Sequence, residues 1–190
     1  MRHRTTVGAV AQPDPTDGLL DELRRWAADE EAARVARVRS RARWLRQQAA
    51  ESATLAGILL ALAERRAVVT VEASGRTHTG RLVAVATGLC ILEDIDDHPH
   101  HLALIALPAI TMVVPPVEAA GDRVPDLRLD VAGALAGLAG DRRTISLELR
   151  SGKRMTGVLE SVGVDVVTLR IEGAGTIGQL AISAISACLL

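Results

Sequence analysis

AGILLALAERRAVVTVE (56–72) and AGALAGLAGDRRTISLE (132–148) are copies of one another at a single offset. Ala56/Ala132, Gly57/Gly133, Leu59/Leu135, Leu62/Leu138, Ala63/Ala139, Arg66/Arg142 and Glu72/Glu148 are identical pairs. After a one-residue gap the match continues, SGRTHTGRL (74–82) against SGKRMTGVL (151–159), and LPAI (107–110) against ISAI (182–185). An internal repeat sets the unit of folding, so it is read before anything else. The unit here is one helix followed by several short strands, used twice.

Working outward from that unit, residues 1–13 read as a disordered tail and 14–50 as a helical arm. Residues 51–116 form a first module, 117–126 a linker, and 127–190 a second module. Asp14-Pro15-Thr16-Asp17 is a helix-start signature. The stretch 17–50 has no Pro, and no Gly after Gly18. Acids gather in its first part and arginines in its second, which offsets the helix macrodipole. Asp21–Arg25 and Glu30–Arg34 are spaced for i,i+4 pairing. Ser52 is placed to cap a second helix over 53–65. Strands are expected at Val69–Val71, Gly80–Val83, Leu89–Glu93, Leu102–Leu107 and Ile110–Val114. The second copy predicts them at Ile145–Leu149, Met155–Val162, Val166–Ile171, Gln179–Ile182 and Ile185–Leu189.

The 190 residues are 48% hydrophobic, which supports packed cores. Those cores are aliphatic: the chain has no Phe or Tyr, and its only tryptophans, Trp26 and Trp44, lie in the arm. The formal net charge of −1 provides no global field for nucleic acid or membrane. Cys90 and Cys188 fall inside expected strands, as buried reduced thiols rather than a disulfide framework. The longest apolar run, Leu55–Ala63, is too short to span a bilayer. A cytoplasmic location is the default expectation.

LRSGKRMTGVL (149–159), followed by a hairpin and VVTL (166–169), resembles the first motif of Sm-like proteins. The resemblance implies a mainly β fold in which two small five-stranded Sm-like barrels, each preceded by a helix, follow the long N-terminal arm. Sm-like proteins typically assemble into RNA-binding rings. The residues that touch RNA in that family do not carry over. The family's Asp falls near Gly163, or Ala86 in the first copy, with no Asn following. GQLAIS and LIALPA stand where an Arg-Gly pair is needed. More loosely, an arm plus tandem modules is similar to a group of actinobacterial proteins labelled Fis-type transcriptional regulators. No helix-turn-helix is legible in this chain to match that label.

Three segments suggest chemistry. GAGTIG (173–178) has the glycine spacing of a dinucleotide loop, but a strand rather than the required helix is expected after it. DIDDHPHH (94–101) gathers Asp94, Asp96, Asp97, His98, His100 and His101, donors suited to zinc or nickel; the second repeat has no counterpart. Arg34, Arg37 and Arg41 form one helical row, and Arg39, Arg43 and Arg46 another, with no acid from Ala32 to Ala50. Such a face suits the phosphates of nucleic acid or an anionic membrane surface. Alternatively the helix docks by its apolar stripe and its arginines pair with acids of a partner helix, such as the acidic half of a second arm in an antiparallel dimer. No Ser/His/Asp or Cys/His set can be nominated, so no enzyme and no cofactor are expected. The expected function is a non-enzymatic interaction or scaffold protein that binds a protein partner or itself. A nucleic-acid-binding regulator using the arginine face and a metal sensor using the His/Asp loop are the alternatives.

Overall fold

The computed structural model describes residues 15–95, 101–115, 121–173 and 175–190. The first unit, which ends at Gln48, is the arm, and its helix α1 spans Pro15–Glu51. Its ion pairs differ from the expected ones by one position. Asp21 pairs with Arg24 at 3.0 Å and Glu31 with Arg34 at 2.6 Å, both at i,i+3, while Glu30 reaches Arg37 at 3.0 Å. Arg25 Nε donates to the Asp21 carbonyl instead, at 3.3 Å.

In the second unit, each repeat opens with a capped helix. The cap of α2 (Leu55–Glu64) is Thr54, whose hydroxyl accepts from Gly57 N–H at 3.0 Å. The expected cap, Ser52, hydrogen-bonds back to the Ala49 carbonyl at the end of α1. Asp130 caps α3 (Val131–Ala139) in the same way, accepting from Gly133 N–H at 2.8 Å. Both helices give way to a strand through an arginine in the left-handed region, Arg66 (φ 48°) and Arg142 (φ 47°).

The strands are β1 (Val68–Ala73), β2 (Arg76–Val85), β3 (Leu89–Glu93), β4 (Leu102–Ala106) and β5 (Ile110–Val114). The second copy supplies β6 (Thr144–Leu149), β7 (Arg154–Val162), β8 (Val166–Ile171), β9 (Ile177–Ala181) and β10 (Ile185–Leu189). The expectation of two separate five-stranded barrels is overturned. All ten strands form one open antiparallel sheet, in the order β5-β1-β2-β3-β4-β10-β6-β7-β8-β9. The physical reason is at its centre. Neither repeat satisfies its own edge, so β4 and β10 pair across the repeats, with Ile105 opposite Ala187 and Leu104 opposite Cys188.

Two aliphatic cores line this sheet. Leu59, Leu62, Val71, Leu82 and Leu92 anchor the first under α2, and Leu135, Ile145, Leu147, Leu159 and Leu169 the second under α3. The central strands belong to both cores. Ala187 of β10 packs into the first, and Leu104 of β4 into the second. Gly80 and Gly157 sit where the neighbouring strand leaves no room for a side chain. A Cβ on Gly80 would stand 2.6 Å from the Glu93 carbonyl oxygen, and one on Gly157 would overlap that of Arg170. Cys90 and Cys188 are buried and unpaired, and burial pushes both thiols up to about 12.

Candidate functional site

The sequence signals for small-molecule chemistry find no support among the described residues. GAGTIG joins β8 to β9 as a hairpin, with Gly173 (φ 79°) and Gly175 (φ 63°) in the left-handed region. A strand follows it, so no helix N-terminus faces a phosphate there. Of the expected metal ligands, Asp96, Asp97, His98 and His100 lie outside the described residues. His101 is exposed, and its backbone N–H donates to the Leu190 carbonyl at 2.7 Å. No group of metal-ligating side chains occurs among the described residues.

The structure brings together a charge cluster that sequence reading missed. Glu148 on β6 has no solvent exposure. Its Oε1 accepts from Arg154 Nε at 3.1 Å and from Arg154 Nη2. His78 Nε2 on β2 lies 3.1 Å from Oε2, without hydrogen-bond alignment. Arg76 Nε stands 3.7 Å from Oε1, and Arg76 Nη2 donates to the Gly152 carbonyl at 2.9 Å. Burial alone would raise the Glu148 carboxyl. The His78 and Arg154 contacts outweigh burial and hold it at about 2. Three strands separate β2 from β6 in the sheet order, yet their side chains meet. The sheet is therefore strongly coiled, and the cluster fastens one repeat to the other. Arg150 adds a second tie, donating to the Ser183 carbonyl at 2.9 Å and the Pro108 carbonyl at 3.1 Å.

The available signal for this cluster was faint. His78 and Met155 occupy the same place in the two copies, an inward-facing position on the second strand. Only the first copy puts an imidazole there, and only the second has Arg154 nearby.

The two ends of the sheet are the other surfaces of interest. β5 (ITMVV) and β9 (IGQLA) are the outermost strands, and neither carries a charge. Met112 and Val114 are each 49% exposed, and Ile177 is 55% exposed. By the repeat, β9 corresponds to β4 and β5 to β10. The free ends are thus the counterparts of the two strands that already pair at the centre.

On the arm, Arg34 and Arg37 are held by Glu31 and Glu30. Arg39, Arg41, Arg43 and Arg46 are exposed, with no ion pair among the described residues. No described helix is long and apolar enough to cross a membrane. No protein-family model matches the chain, and neither does any curated protein.

Proposed function

We propose that this is a non-enzymatic interaction protein, a scaffold that self-associates by strand addition at the two ends of its sheet. One observation carries the reading. The chain already joins two such edges internally, β4 to β10, and the corresponding edges β9 and β5 are left free and uncharged. Natural sheets usually protect a free edge with lysine, proline or a covering segment, because an unprotected edge templates pairing. By the internal junction, Gln179 of one copy would face Val113 of the next, as Leu104 faces Cys188. Such a contact is heterologous, so copies add head to tail. The absence of aromatic side chains from both repeats leaves no stacking platform for bases, which favours protein over RNA as the partner. The two unpaired buried thiols suit a reducing compartment such as the cytoplasm.

The test is the mass distribution of the full chain by sedimentation velocity across concentration. Growth beyond a dimer is expected, and Met112→Lys or Gln179→Lys should each stop it while leaving the fold intact. A wild-type protein that never grows beyond a dimer, or growth indifferent to both lysines, would refute edge addition.

A further inference from the structure

The arm carries a stripe whose spacing reads alike in both directions. Leu20, Leu23, Ala27, Glu31, Arg34, Val38, Ala42 and Leu45 follow one another at spacings of 3, 4, 4, 3, 4, 4 and 3 residues. That is an eleven-residue period, which keeps a stripe on one face of a nearly straight helix. About a point between Ala32 and Ala33 the positions of the stripe are symmetric. Leu20 mirrors Leu45, Leu23 mirrors Ala42, Ala27 mirrors Val38, and Glu31 mirrors Arg34.

Nothing within the arm covers this stripe. Leu20 is 45% exposed, Leu23 53%, Val38 59% and Leu45 49%. Helices in water are stabilised chiefly by packing an apolar face, so an arm of this length with an open leucine stripe calls for a partner.

Charge decides which partner. From Gly18 to Glu31 the arm has five acids (Asp21, Glu22, Asp29, Glu30, Glu31) and two arginines (Arg24, Arg25). From Arg34 to Arg46 it has six arginines and no acid. A second copy in parallel would stack arginine on arginine. A second copy running antiparallel sets each acidic half beside the other's basic half. It brings Leu20 against Leu45, and Glu31 of one copy against Arg34 of the other.

We infer that two copies of this chain pair through antiparallel α1 helices, with a two-fold axis between Ala32 and Ala33. The contact extends over Leu20–Leu45, on the order of 40 Å of helix. It is closed by symmetry. The inference names one partner within the self-association reading, but the two fail separately. Edge addition gives open growth that Met112→Lys stops, and the arm gives a dimer that survives that substitution.

The experiment uses full-length protein carrying Leu20→Cys or Leu45→Cys. Cys90 and Cys188 are buried with raised thiols, so only the new thiols react readily. Under mild oxidation an equimolar mixture should give the mixed disulfide dimer, and either variant alone should stay largely uncrosslinked. In sedimentation equilibrium on the Met112→Lys background, Arg34→Glu should weaken the dimer roughly tenfold or more by setting like charges across the axis. The swap Glu31→Arg with Arg34→Glu should restore it. Disulfides formed by Leu20→Cys with itself would overturn the antiparallel register. A monomeric Met112→Lys protein would overturn the pairing altogether. Co-purified nucleic acid, released by salt and lost with Arg39→Glu and Arg43→Glu, would assign the basic half to phosphates instead.

Discussion

Glu148 shows what a single buried charge does in this protein. Its carboxylate is out of water, while Arg154 and Arg76 keep side-chain exposures of 44% and 38%. Glu148→Gln therefore removes a charge whose partners can turn to solvent, and the loss should be about 1–3 kcal/mol in denaturant melts. The pH dependence follows from the direction of the shift. The carboxyl sits at about 2 in the fold against an ordinary 4.5, so between those values the unfolded chain binds more protons. Its stabilisation is complete above about pH 4.5 and disappears as pH falls toward 2. Wild-type stability should fall across that window more steeply than that of Glu148→Gln, and equal slopes would show that the cluster is not formed in solution. None of this was legible from alternation. On β6 both faces are buried, so Ser146 and Glu148 look like surface residues in the sequence and are not.

At the scale of elements, two glycines make opposite predictions. Gly157 lies where β7 and β8 approach, and a methyl group there would overlap the Arg170 carbonyl oxygen. Gly157→Ala must push the strands apart and should cost about 2–4 kcal/mol. Gly137 is exposed inside α3, with nothing within 4 Å of an added Cβ. Gly137→Ala should stabilise by about 0.5–1 kcal/mol, because alanine loses less entropy in a helix. Thermal melts of the two variants should move in opposite directions. Both glycines were visible in the sequence, and Gly157 was identifiable through its repeat partner Gly80. Helices and strands were likewise legible, because each repeat corroborated the other: Val166–Ile171 and Ile185–Leu189 stand where the pattern put them. Caps and ion pairs were less so, since Thr54 and Ser52, or Arg24 and Arg25, differ too little in sequence to choose between.

For the whole molecule, the junction was the illegible part. Which edge a strand seeks depends on contacts between residues far apart in sequence, and nothing in β4 (LALIA) or β10 (ISACL) marks the two as partners. The junction has a thermodynamic consequence. Leu104 and Ala187 each pack into the core of the other repeat, so neither core can open alone. A chain beginning at Ser52 should melt in one transition, with calorimetric and van't Hoff enthalpies equal. Two resolved transitions would show that the repeats are independent.

The place of β10 also bears on how the protein is made. It is the last of the ten strands to leave the ribosome, yet it sits in the middle of the sheet. β4 ends at Ala106 and β10 begins at Ile185, so β4 waits for its neighbour while about eighty residues are translated. At typical elongation speeds that is roughly 4–16 s. During that interval the nascent chain displays Leu104 and Ile105 on a bare aliphatic edge. A chaperone, or the same edge on a neighbouring nascent chain of the same polysome, has that long to capture it before the central strand arrives.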